Sequence, residues 1–126
     1  MDKWLNLTGR ILLAAMFIIA GFGKITGYAG TAAYMASKGL PGALLPLVIL
    51  LELGGGVAIV VGFQTRLVAI AIAIFCVVAG VIFHFEPGNQ AQMINFMKNI
   101  SIAGGFLVLA QVGAPWFSID AMRKKR

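Results

Sequence analysis

The chain has 126 residues, 60% of them apolar and only 11% charged, with sixteen glycines and a mean hydropathy of +0.96. Soluble domains carry about 25% charged residues, so this composition cannot cover a water-exposed surface, which excludes a soluble enzyme of the usual kind and points to one integral membrane domain over residues 1–126. The formal charge of +6 does not indicate nucleic acid, because four of the ten basic residues form the terminal run Arg123 to Arg126 and no basic stripe interleaves with aromatics. The single cysteine, Cys76, permits neither an intrachain disulfide nor a CxxC pair, and reads as a small packing residue.

The first apolar run extends from Trp4 to Gly23 between Lys3 and Lys24. As a helix it spans about 30 Å, and the three apolar runs that follow make it a membrane helix rather than a cleaved leader. Thr26 to Gly42 is less apolar, with Tyr28, Tyr34 and Met35 in an alanine-rich middle; it reads either as a short helix at the headgroup level or as a crossing loop. Leu44 to Phe63 forms the second span, with Pro46 near its start and Glu52 near its middle, and a polar break at Gln64, Thr65 and Arg66 follows. Leu67 to Phe83 contains no charge and forms the third span. Its AIAIAI alternation suits a strand, but the total apolar length and its neighbours favour a helix. His84 to Gln92 is a polar loop turning at Pro87 and Gly88. The last span covers Phe96 to Ala114 and ends at Gly113, Pro115 and Trp116.

The expected architecture is therefore an all-α transmembrane four-helix bundle with spans at about 4–23, 44–63, 67–83 and 96–114. Four spans place both termini on one side. That side holds Lys3, Arg10, Arg66 and the four terminal basic residues, against Lys24, Lys38 and Lys98 across the membrane, so both termini are expected in the cytoplasm and the basic tail meets anionic lipids. Gly9, Gly21, Gly54 to Gly56, Gly80, Gly104 and Gly105 permit close helix approach.

Scarce charges make the few inside the spans informative. Glu52 is costly in mid-span unless protonated, paired or turned toward a polar cavity. It reads either as part of a structural salt bridge or hydrogen bond, or as part of a ligand, quinone or proton site, and Gly55 and Gly56 leave room beside it. Arg10 and Lys24 are its candidate partners, with depth favouring Arg10. Lys98 and Asn99 lie in the first half of the last apolar run, and Asn99 is placed to cap the helix, to bond across the bundle or to line the same pocket as Lys98. His84 and Glu86 follow the third span at the outer interface, framing a polar mouth or lying in a solvated loop. One histidine and scattered carboxylates make no metal set, and the glycine triplet lacks the context of a phosphate-binding loop.

Taken together, these residues resemble the DoxX-like family of small four-helix bacterial inner-membrane proteins over nearly the whole chain. The resemblance rests on Arg10 with the helix ending Gly23-Lys24, the loop Gly39-Leu40-Pro41, Glu52 with its glycine run and Thr65-Arg66, Lys98-Asn99, and the ending Phe117-Ser118-Ile119-Asp120; Pro115-Trp116 departs from it. It implies a bacterial inner-membrane accessory component of a quinone-linked or oxidative-stress redox system, rather than a self-sufficient enzyme. The residues in hand supply no flavin, haem, metal or thiol relay, so redox chemistry calls for a bound quinone or a redox partner protein. A non-catalytic membrane scaffold and a small-solute or ion transporter are the alternatives, and homo-oligomers remain open.

Overall fold

The computed structural model describes residues 1–124. Lys125 and Arg126 of the expected basic tail lie outside the described residues, as does the side chain of Lys124. Six helices follow in chain order: α1 (Asp2–Thr26), α2 (Tyr28–Ser37), α3 (Gly42–Val61), α4 (Thr65–His84), α5 (Gln90–Val112) and α6 (Ile119–Lys124). No strand occurs among the described residues. The four long helices, α1, α3, α4 and α5, are apolar and long enough to cross a membrane. Between Thr26 and Gly42, residues Tyr28–Ser37 form the short helix α2 rather than a bare loop.

The helix ends follow from sequence. The helix α3 opens with a 3-10 turn, Gly42–Leu44, and Pro46 falls in the first turn of the α-helical part that follows from Leu45, where its missing N–H costs nothing. The Asn89 side chain accepts from Gln92 N at 3.2 Å and caps the start of α5, which therefore begins well ahead of the apolar run. At its far end Gly113 takes a φ of 73° and Pro115 follows. Two helices contain a wide π turn, Leu50–Gly54 in α3 and Gly80–His84 in α4; neither was legible in the apolar pattern.

The long helices pack as two pairs. α1 lies along α3, and α4 along α5. The pairs meet through the Gly55–Val61 half of α3 against α4 and, less extensively, through α1 against α5, while α2 packs on α1 and the first turn of α3. Close approach of α1 and α3 depends on Gly21 and Gly56: a Cβ there would stand 2.8 Å from Leu53 N and 2.7 Å from Ile18 Cγ1. Gly9 and Gly104, expected to serve the same purpose, have nothing within 4 Å. The core joins Ala14, Phe17, Ile59, Ile72, Cys76 and Phe106, with the Phe17 and Phe106 rings edge to face at 5.4 Å. Outside, Leu12, Ile19, Leu47, Leu50, Leu67 and Ile74 are exposed, a surface suited to acyl chains rather than water.

Candidate functional site

Polar side chains gather at two opposite ends of the bundle. At the end that carries the chain termini, Arg10 is only 1% exposed. Its Nη1 donates to the carbonyls of Ile59 (3.4 Å) and Val60 (3.1 Å), and its Nη2 to those of Trp116 and Phe117 (both 3.0 Å). One guanidinium thus satisfies the Val60 carbonyl, orphaned by the end of α3, shares the Ile59 carbonyl with Gly62 N, and ties both to the strap Gly113–Ser118. Gly62 makes room for this clamp. It adopts a φ of 70°, and a Cβ there would overlap Ser118 and approach Arg10 Nη1 to 2.8 Å.

The strap is held along its length. Asn6 Nδ2 donates to Gly113 O at 2.9 Å, and Arg66 donates through Nε and Nη2 to the last carbonyls of α5, Ala110 (3.0 Å) and Gln111 (2.6 Å). Asp120 N reaches Gly62 O at 2.8 Å. The Asp120 carboxylate accepts from Gln64 N (2.9 Å) and Thr65 N (2.8 Å), so a residue from the opposite end of the sequence caps α4. Partial burial pushes the Asp120 carboxyl up, but the hydrogen bonds from Thr65 and Gln64 and the nearby Arg123 charge outweigh it and hold the group below its ordinary value.

At the other end the two helix pairs enclose a cavity of about 480 Å³. Lys24 near the end of α1 reaches Glu52 in the π turn of α3, with Nζ 2.7 Å from Oε1. This is the one ion pair among the described residues. Glu52 is 5% exposed. Asn99 on α5 also lines the cavity and donates to Cys76 O at 3.1 Å. The remaining wall is mostly apolar and includes Cys76, Phe75 and Ile82 from α4. α2 closes one side through Tyr34, whose ring stacks on Phe83 at 5.4 Å. Both π turns border this space, one through Glu52 and the other through Ile82, Phe83 and His84. Such turns often mark functional sites, because the wider ring re-aims side chains.

The expected pocket set is thereby divided. Lys24, Glu52 and Asn99 share the cavity, and His84 stands at its rim with Nδ1 2.9 Å from Gln92 Oε1. Arg10, favoured on depth as the partner of Glu52, does not belong there. It sits fourteen positions before Lys24 in the sequence, about 21 Å along the helix axis, and the antiparallel run of α3 brings its level to Ile59 rather than Glu52. Lys98 is exposed on another face of α5, in a shallow groove with Met97 and Ser101. Glu86 is exposed in the loop after α4, where its carbonyl accepts from Asn89 N at 3.0 Å. Among the described residues no three His, Cys, Asp or Glu side chains converge as a metal site. Sequence reasoning missed Tyr34, Phe83 and Cys76 as cavity wall, since apolar side chains in an apolar chain send no local signal.

Residues 5–85 match the family model described as DoxX. The chain belongs to the DoxX family. The DoxX match contains Lys24, Glu52 and Cys76 and stops before Asn99 and the strap. Inner membrane protein YqjF of Escherichia coli K12 is 50% identical over 120 residues, covering 95% of this chain and 92% of that protein. Inner membrane protein YphA of the same organism is 41% identical over 123 residues, covering 92% and 88%. A shorter similarity, 32% over 65 residues, covers 52% of this DoxX chain and 48% of a Bacillus subtilis protein named putative oxidoreductase CatD. No solved structure matches the chain.

Proposed function

We propose that this DoxX-family membrane protein is an inner-membrane accessory component of a quinone-linked or oxidative-stress redox system, and that it holds a quinone-like molecule in the cavity beside Lys24 and Glu52. The cavity carries this reading. Its volume lies in the range of small-molecule sites, and a largely apolar wall with a few convergent polar groups is the usual composition of such a site. The chemistry of the lining fits the ligand class: Lys24 offers a donor to a ring carbonyl, Glu52 an acceptor to a ring hydroxyl, and together they add no net charge. Phe75, Phe83 and Tyr34 offer ring faces. A bound quinone would supply two-electron chemistry; the side chains bind it, orient it and keep water out.

The similarity to a protein named putative oxidoreductase supports the redox reading, and the two relatives named inner membrane proteins support the location. Both termini face the cytoplasm in this proposal. Lys3, Arg10, Arg66 and Arg123 lie at the terminal end of the bundle, and Lys24, Lys38 and Lys98 toward the other, in keeping with the positive-inside rule.

The test is titration of a short-chain quinone onto the purified protein in detergent. Glu52→Gln and Glu52→Ala are expected to weaken binding by about tenfold or more, the usual worth of a buried hydrogen bond to a charged group. Unchanged binding in both folded variants overturns the role given to Glu52. A non-catalytic scaffold draws support from the Arg10 clamp and predicts the opposite pattern, in which Glu52 variants lose stability and show no ligand effect.

A further inference from the structure

A second recess lies at the opposite end from the Glu52 cavity, between the start of α4, the strap and α6. It measures about 600 Å³ and is lined by Thr65, Arg66, Leu67, Val112, Asp120 and Arg123 among others. Unlike the Glu52 cavity, its lining carries an excess of positive charge. Arg66 uses Nε and Nη2 on the carbonyls of α5, which leaves its Nη1 without a partner, and no carboxylate pairs with it among the described residues. Arg123 stands 5.9 Å from the Phe63 ring. The one acid present, Asp120, has both oxygens engaged by the backbone N–H groups of Gln64 and Thr65. Two guanidinium groups therefore face a recess whose only carboxylate is already committed.

The rim is apolar. Leu67 is 67% exposed and Val112 50%, and both continue into the lipid-facing sides of α4 and α5. A free anion has no use for that wall. An amphiphile with a phosphate head and acyl tails fits both parts, since guanidinium groups bind phosphate through paired N–H donors and the tails continue along the helices. The position agrees: helix ends meet the headgroup layer, and Arg123 over Phe63 and Lys3 over Trp4 and Phe117 form a belt of cations on aromatic rings at this level.

We propose that the recess between Arg66 and Arg123 is a binding site for the phosphate-bearing headgroup of an anionic phospholipid. The lipid seats the strap and α6 against the ends of α4 and α5. The site is independent of the Glu52 cavity and of any quinone.

The experiment compares phosphatidylglycerol, phosphatidylcholine and inorganic phosphate on the full-length protein in detergent, by native mass spectrometry and thermal unfolding. Phosphatidylglycerol is expected to be retained and to raise the unfolding midpoint, with phosphatidylcholine weaker and inorganic phosphate without effect. Arg66→Gln and Arg123→Gln should each weaken phosphatidylglycerol by about fivefold, as loss of one basic residue at an anionic surface does. Lys98→Gln, outside the recess, should not. Arg123→Gln keeps the test valid if loss of the Arg66 cap impairs folding, because the Arg123 side chain caps no helix. Equal binding of phosphatidylcholine, equal stabilisation by inorganic phosphate, or the same loss in Lys98→Gln as in Arg123→Gln would each overturn the proposal.

Discussion

Arg10 is charged, buried and unpaired by any acid within hydrogen-bonding range, yet four carbonyl oxygens surround its terminal nitrogens. In a bilayer those carbonyls have no water to turn to. Removing the guanidinium leaves the carbonyls of Val60, Trp116 and Phe117 without a partner together, while Ile59 O keeps Gly62 N, and each unsatisfied buried group costs about 1–3 kcal/mol. Arg10→Ala should therefore destabilise the protein by about 3 kcal/mol or more, read as a lower unfolding midpoint in detergent. Arg10→Lys should recover little, because a single ammonium cannot fork between two segments as the planar group does. A midpoint unchanged in Arg10→Ala would show that the clamp holds nothing that solvent or neighbours cannot replace. The same residue shows a limit of sequence reading. Its depth and charge marked it as special, but its acceptors are backbone oxygens 49 to 107 positions away, and backbone carries no residue-type signal.

At the scale of elements, α4 begins with a cap in which the Asp120 carboxylate accepts from Gln64 N and from Thr65 N, 55 positions upstream. The carboxyl sits below its ordinary value in the folded state, so it holds its proton less tightly folded than unfolded. Its contribution to stability is then full above the unfolded carboxylate value of about 4 and is lost as the pH falls through the folded value. Stability measured from neutral pH downward should drop through the acid range, and Asp120→Asn should be less stable at neutral pH and show a shallower acid slope; equal slopes would remove Asp120 from that role. The four long apolar helices were legible because lipid solvation demands long apolar runs, and the chain carries four of them. The π turns, the helix α6 and the strap were not, since they answer to contacts between distant segments. Ser118 and Asp120 stood out only through their likeness to a family ending.

At the scale of the whole molecule, the two helix pairs are locked at one end by Arg10, Arg66 and Asp120 and leave a cavity at the other, around Lys24 and Glu52. In the proposed reading the clamp end carries stability and the Glu52 end carries quinone binding, and the division can be tested with one substitution at each. Ala79 lines the cavity and is half-buried. Ala79→Phe adds a ring to space that no side chain fills, so it should lower quinone binding by about tenfold or more while leaving the unfolding midpoint unchanged or higher, since filling a void restores lost contacts. Arg10→Ala should lower the midpoint and spare the Lys24–Glu52 pair. Because the two sites share no partner, the stability effects in the double variant should add to within about 0.5 kcal/mol. A strongly non-additive double variant would mean that the clamp end sets the width of the cavity, and that the bundle behaves as one body rather than as a locked end and an open one.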